Sequence, residues 1–258
     1  DIGGEGVLTR TVRDQCAFYA AAEREFHHPP LPPVGLVDRP LERPLRVAVH
    51  VDSPVATADA ATADALRRTA DLLADLGHDV TEVEPSVGPR FGDDFVLYWA
   101  LAALTIERFG TRLLGPSFDR HRLTPFTTTL AAHARRNLHR MPGAIRRLRA
   151  STQHVDAALG PHDVLLHPTM SRVTPELGWI HTGLDAEVVI DRMLSWASFT
   201  ALYNASGHPA MSLPLAHDEE TNTPIGMHLT ARWGAERTLL ELALQLEEAR
   251  PFATLDGR

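Results

Sequence analysis

The sequence predicts an α/β fold, and three observations predict it. A strand, a helix and a second strand follow one another within residues 45–83, strands and a helix alternate again in the order strand, strand, helix within residues 210–249, and between them residues 91–110 and 124–159 are helical in pattern. Elements that alternate in this way build a sheet covered by helices. At 258 residues, 44% hydrophobic and 22% charged, the chain can bury a substantial core as one large α/β domain or two small ones.

The elements follow in order. Gly3-Gly4-Glu5-Gly6 predicts a flexible opening. Thr11 with Asp14 three residues later forms a helix-start box ahead of Cys16, Phe18, Tyr19 and Ala22, so a helix is expected from about Thr11 to Glu25. Pro29-Pro30-Leu31-Pro32-Pro33, then Pro40 and Pro44, fix φ and remove donors, which makes residues 27–44 an extended connector. Leu45 to Val51 is a short apolar, β-branched strand. Ala63, Leu66, Ala70 and Leu73 share one helix face, and Gly77 stands where that helix must turn with positive φ before a second strand, His78 to Val83. If the two strands are parallel, their crossover is right-handed.

Phe91 to Gly110 and Thr124 to Leu159 read as two or three packed helices, with breaks near Gly115-Pro116 and Pro142-Gly143. Asp163 to Pro168 reads as a buried strand, followed by a loop through Trp179 and a helix from about Glu187 to Tyr203 that ends before Gly207. Ala210 to Leu215 and Ile225 to Ala231 are strands joined by a polar turn, Asp218 to Pro224. A closing helix from Ala235 to Ala249 buries Leu239, Leu242, Ala243 and Leu246. The chain shows no internal repeat.

Composition removes several function classes. Asp and Glu number 33 against 25 Lys and Arg, a formal charge of −8 that gives no general attraction to phosphate backbones or anionic lipid, so neither nucleic acid nor membrane is an expected partner. No apolar run reaches the roughly 18 to 20 residues that span a bilayer, and no charged-then-apolar leader opens the chain. The chain begins at Asp1 without a methionine, so a leader or a preceding domain is compatible with it. Cys16, the single cysteine, sits among Val12, Ala17, Phe18, Ala20 and Ala21, which predicts a buried free thiol and points to a reducing cytoplasm. The chain contains no lysine; every one of its 25 cationic side chains is arginine, whose guanidinium cannot serve as a neutral base.

Three stretches together resemble the amidase signature family. They are Gly6-Val7-Leu8-Thr9-Arg10-Thr11-Val12-Arg13-Asp14, Asp163-Val164-Leu165-Leu166-His167-Pro168-Thr169, and the run from Phe199-Thr200 through Asn204-Ala205-Ser206-Gly207-His208-Pro209-Ala210-Met211-Ser212-Leu213-Pro214 to Pro224-Ile225-Gly226-Met227, then Glu236 and Leu239-Leu240. The resemblance covers about Gly3 to Phe252, and Leu123-Thr124-Pro125-Phe126-Thr127 and Pro175-Glu176-Leu177-Gly178 are closer to the branch that includes the nylon-oligomer cyclic-dimer hydrolases.

The resemblance implies a mixed sheet with helices on both faces. It also implies amide hydrolysis by a serine nucleophile, a second serine in a cis peptide linkage and a lysine base, with backbone N–H groups stabilising the oxyanion. This sequence has no lysine, no Ser-Ser pair and no Gly-Gly-Ser loop, so no catalytic residue carries over. The implied triad lies before Asp1, on a missing amino-terminal portion that would be the main partner. This chain would then be the carboxy-terminal portion of one larger domain, and an exposed apolar seam should await the missing part.

By position, the resemblance makes Thr169, Trp179, Trp196, Phe199 and Asn204 candidates for contact with a small amide substrate. Thr169 ends a strand facing the site, Trp179 lies in the next loop, and Trp196, Phe199 and Asn204 precede the Gly-His-Pro-Ala turn. Ala197 stands where glutamine-using relatives carry an acid, which favours an uncharged or apolar carboxamide. Neither cofactor nor metal is expected, and self-association into a homo-oligomer is left open.

Simpler readings stand beside these. Trp196, Phe199 and Tyr203 are at helical spacing, which also suits core packing. Ser206 lacks the Gly-x-Ser-x-Gly elbow and reads as a turn residue. The fourteen histidines show no metal-ligand spacing, and Arg135, Arg136, Arg140, Arg146, Arg147 and Arg149 read as a solvated face paired with acids. The competing functions are a non-catalytic scaffold that kept the fold, and a two-lobed ligand-binding module.

Overall fold

The computed structural model describes residues 3–4, 6–53, 56–84, 90–181 and 183–253. Glu5, part of the predicted flexible opening, lies outside them. Five strands form one mixed sheet: β1 (Arg46–Val49), β2 (Asp79–Glu82), β3 (Val164–Pro168), β4 (Ala210–Asp218) and β5 (Thr223–Ala231), in the order β2-β1-β3-β5-β4. β1 pairs parallel with β2 and with β3, whereas β5 runs antiparallel to both β3 and β4.

The first strand, helix and second strand form the compact unit expected, and its two strands are parallel. α2 (Ala60–Asp75) starts at Asp59, whose carboxylate accepts the Thr62 N–H at 2.8 Å, and Gly77 carries φ of +92° after it. α1 (Val12–Glu25) starts at Thr11, whose hydroxyl accepts the Asp14 N–H at 3.1 Å. The proline-rich connector is neither helix nor strand, yet it is fastened. The Glu23 carboxylate accepts the Val34 and Gly35 N–H groups, each at 2.7 Å, the Leu41 N–H donates to the Glu241 carbonyl at 3.0 Å, and Val37, Leu41 and Leu45 are buried.

The middle of the chain differs from expectation in detail. α3 (Phe91–Leu114), α4 (Pro125–Asn137), α5 (Met141–Arg149) and α6 (Ser151–Leu159) are four helices where two or three were expected. Pro142 does not break the stretch: it lies in the first turn of α5, where a missing N–H costs nothing, and the chain is interrupted instead by a tight turn at Leu138–Arg140. Among the arginines here, Arg147 makes a two-pronged contact with the buried Asp94, at 2.6 and 2.7 Å.

The helix expected over residues 187–203 is two helices, α7 (Ala186–Trp196) and α8 (Thr200–Ser206). Ser171 captures the carbonyls that would continue it: its N–H donates to the Trp196 carbonyl at 2.9 Å, and its hydroxyl reaches the carbonyls of Ser195 and Trp196. β4 and β5 are longer than the sequence suggests and are joined at residues 219–222, where the Asp218 carboxylate accepts the Thr221 N–H at 2.8 Å and Asn222 adopts φ of +53°. A register shift between Leu213 and Ala216 falls around Pro214, which has no N–H for the ladder.

The sheet has two unlike faces. One presents Val47, Val49, Val164, Leu166, Met227, Leu229, Ala231, Leu213 and Leu215 to α1, α2 and α9 (Glu236–Ala249), forming the largest hydrophobic core. Cys16 is buried there as a free thiol, and burial pushes its pKa up to about 11. The other face packs Ala48 and Leu165 against Leu202, Tyr203, Val155 and Leu159 in a smaller cluster under α6 and α8. Helices therefore lie on both faces.

Candidate functional site

Strand alternation builds the second face from the sequence. His50 continues β1, its N–H donating to the Leu166 carbonyl at 3.2 Å, and the register sets His167 opposite His228 and His228 opposite Ser212. A single row of side chains thus crosses the sheet from His50 to Ser212. The first three are buried imidazoles in a ring stack: His50 and His167 have centroids 4.8 Å apart, His167 and His228 4.5 Å, and Tyr203 of α8 and Phe199 stack on His167 at 4.8 and 5.3 Å. Burial without a nearby acid holds His167 well below the usual imidazole range and His228 down to about 3.

At the β4 end of the row the helices stop. Ala210, Ser212 and Pro214 are exposed on this face. Thr169 continues the ladder beyond β3, its N–H donating to the Gly226 carbonyl at 2.9 Å, and its hydroxyl lies 2.6 Å from that of Ser212. Glycine is required beneath them, because a Cβ at Gly226 would stand 2.8 Å from both hydroxyl oxygens. Asn204, exposed on α8, looks onto the start of the chain: a Cβ on Gly4 would stand 3.3 Å from its Oδ1. The Thr169–Ser212 pair is thus open and set among small groups, while Asn204 stands by the start of the chain. Large hydrophobic side chains do stand exposed among the described residues, Leu8, Phe109, Leu113, Leu114, Leu177 and Trp233 among them.

The five residues singled out from sequence are not brought together. Thr169 and Asn204 belong to exposed or half-buried positions of the second face. Phe199, 2% exposed, is a wall of the ring stack, and Trp196 is half-buried with its indole N–H enclosed and unpaired. Trp179 lies in the loop after β3, with the Arg192 guanidinium 5.3 Å over its ring and also bonded to its carbonyl. It lines a separate hollow of about 540 Å3 with Asp59, Arg172, Glu176 and Leu177. Ser212 and Gly226, which complete the corner around Thr169, were visible only as parts of a family-like stretch. The histidine row was legible in principle, since each imidazole interrupts an apolar strand.

The Ser206 hydroxyl lies 3.0 Å from His208 Nδ1, and His208 Nε2 lies 3.2 Å from Asp156 Oδ1. That order suggests a nucleophile, but Ser206 is 2% exposed and is the last residue of α8, before Gly207 at φ +73°. A carbonyl cannot reach it, and the chain of bonds ties α8 to α6. Among the described residues no group of three or more His, Cys, Asp or Glu is arranged to hold a metal, and no helix is long and apolar enough to cross a membrane.

Comparison with known proteins gives this geometry its context. The model of the Amidase family matches residues 2–240. The chain belongs to the amidase family. The relative described as "Putative amidase AmiC" of Mycobacterium leprae is 46% identical over 251 residues, covering 97% of this chain and 53% of that protein. The 6-aminohexanoate-cyclic-dimer hydrolase of Pseudomonas sp. (strain NK87) is 34% identical over 221 residues, covering 81% and 44%. Among solved structures, a 6-aminohexanoate cyclic dimer hydrolase complexed with substrate superposes with a TM-score of 0.76 at 28% identity, over 95% of this chain and 54% of that one. The mixed sheet expected from the resemblance is thus the sheet of the amidase relatives, and the nearness to the cyclic-dimer hydrolases is found in both sequence and structure. The chain spans about half the length of the curated relatives it matches.

Proposed function

We propose that this chain is the carboxy-terminal portion of an amide hydrolase that cleaves uncharged or apolar carboxamides through a serine acyl-enzyme. The nucleophile, the bridging serine and the lysine base would come from polypeptide upstream of Asp1. The observation that carries the reading is the match to the amidase family in a chain that contains no lysine at all, so any amine base must be supplied from outside it. The exposed Thr169–Ser212 pair, and the start of the chain running beside Asn204, support placing the upstream portion against this face.

In this reading the Thr169–Ser212 pair and Asn204 offer hydrogen bonds to the substrate's amide. Trp196 and Phe199 back that wall, and Trp179 lines the approach from the loop side. The Thr169–Ser212 pair and Asn204 carry no charge, which suits an uncharged substrate. The buried, unpaired thiol of Cys16 is in keeping with a cytoplasmic setting.

The test uses the full-length protein. Intact mass defines how much polypeptide precedes Asp1, and a fluorophosphonate probe should label a serine in that upstream part. Thr169→Val should keep the labelling and raise KM for a neutral amide by about three- to tenfold, as expected for one lost hydrogen bond. An intact mass equal to that of the 258 residues, with no labelling, would instead establish the non-catalytic scaffold.

A further inference from the structure

The imidazole stack is poorly provided with partners for a second proton. His50 Nδ1 faces the Asp52 carbonyl at 3.0 Å and its Nε2 the Tyr203 hydroxyl at 3.4 Å; His167 Nδ1 faces the Pro168 carbonyl at 2.8 Å and its Nε2 has no partner among the described residues; His228 Nδ1 faces the Thr230 hydroxyl at 3.3 Å. The titratable groups facing the stack are these three rings from β1, β3 and β5, Tyr203 from α8, and Asp52 in the turn after β1. Among the described residues Asp52 is the one carboxylate that acts on them, and it acts only on His50. Phe199 contributes an uncharged ring and Ser212 of β4 a hydroxyl.

A proton added to His167 therefore places a cation against two other imidazoles less than 5 Å away, and one added to His228 against one, in neither case with a carboxylate to answer it; Asp52 acts on His50 alone. Relief requires water, and water requires the cover to move. That cover is α8, seven residues long, without a side-chain cap at its start and preceded by the break at Ala197. Its far end is better secured, because Thr152 donates to the Ser206 carbonyl at 2.9 Å and the Ser206–His208–Asp156 bonds, beside Arg232, hold it to α6. His208 is also held below its ordinary value by burial, but unlike His167 and His228 it faces a carboxylate, and the Thr152 bond does not titrate, so α8 has a better-secured end and a releasable one.

We propose that the histidine stack is an acid-sensitive latch, which keeps α8 closed on the sheet only while all three imidazoles are neutral and releases its Phe199–Tyr203 end when they charge. Because Asn204 is a residue of α8, release would also displace it from the role in substrate binding that the proposed function gives it. That consequence rests on the amidase reading, but the latch does not.

The experiment is hydrogen exchange, corrected for intrinsic pH dependence, on the full chain from pH 7.5 downward, read for residues 198–206 against β3 and β5, together with 15N-edited titration of the imidazoles. We expect protection of α8 to fall between about pH 6 and pH 4 with a slope above one proton, before the strands open, and the three rings to change charge together. His167→Phe with His228→Phe keeps the ring packing, removes two protonation sites, and should move the midpoint at least about one pH unit lower. Protection of α8 that persists through that range, or an unchanged midpoint in the double variant, would overturn the proposal. So would three rings that titrate singly near the ordinary imidazole value with α8 still protected, a readout in the unsubstituted protein that decides even if the double variant fails to fold. Activity of the full-length enzyme then separates the two ideas: α8 release with unchanged turnover keeps the latch and removes Asn204 from the site.

Discussion

Consecutive residues on three adjacent strands point in opposite directions and meet opposite chemistry. Val49, Leu166 and Leu229 enter a large aliphatic core beneath α1, α2 and α9, while their neighbours His50, His167 and His228 stack beneath the short α8. The backbone ladder is common to both sets, so the contrast comes from side chains alone. It shows how a sheet separates duties: the aliphatic face supplies most of the core, with His78, itself held below its ordinary value by burial, bonded at its margin to the Leu45 N–H and to Gln245, and the ring face supplies an ordered but conditional support beside the exposed Thr169–Ser212 pair.

The contrast can be broken or sharpened by experiment. The largest effect is expected from pairing Leu166→Ala with Leu165→Ala, two buried leucines on opposite faces. Both should destabilise by about 2–5 kcal/mol, with Leu166 nearer the top because its surroundings are more extensive and less able to collapse. Urea midpoints would show it, and equal costs would mean that the faces are energetically alike. Acid comes next. Since the folded imidazoles are held below their ordinary value, the unfolded chain binds protons that the folded chain refuses, so stability falls as pH drops below about 6.5 and is unaffected above it. At pH 5 the loss is about 2 kcal/mol for each ring that stays neutral, an order-of-magnitude figure that denaturant titrations at pH 7 and pH 5 would check.

Gly226→Ala should cost about 1–3 kcal/mol and separate the Thr169 and Ser212 hydroxyls, because the new methyl would overlap both. Thermal melts together with KM in the full-length enzyme would detect it, and an unchanged KM would remove the hydroxyl pair from the substrate site. The smallest effect is Thr11→Ala on the aliphatic side, about 1 kcal/mol from the lost helix cap, with no dependence on pH between 5 and 7. A pH-dependent cost there would show that the two faces are not independent.

Much of the fold was legible because it rests on local chemistry. Thr11 caps α1 through its own hydroxyl, Gly77 turns out of α2 with positive φ, and the stripe of Leu239, Leu242, Ala243 and Leu246 is buried in α9. Where the expectation failed, a distant partner had intervened. The break between α7 and α8 is invisible in residues 186–206 because Ser171, from the loop after β3, takes the carbonyls. The candidate site was less legible still. Thr169 and Asn204 were chosen by position, but Ser212 and Gly226 gain meaning only when β4 and β5 carry them beside Thr169.

Taken alone, the sequence determined which segments become strands and helices, the lack of any lysine base, and the family to which those segments point, since each depends on residue type and spacing along the chain. Tertiary structure decided which face each strand residue occupies, that three histidines far apart in sequence share one stack, and that helices cover β1 and β3 but leave the β4 edge open. The reason is physical: alternation along a strand assigns a side to each residue only after register and cover are set, and both are set by contacts between parts of the chain more than a hundred residues apart, such as His50 with Tyr203, 153 positions away.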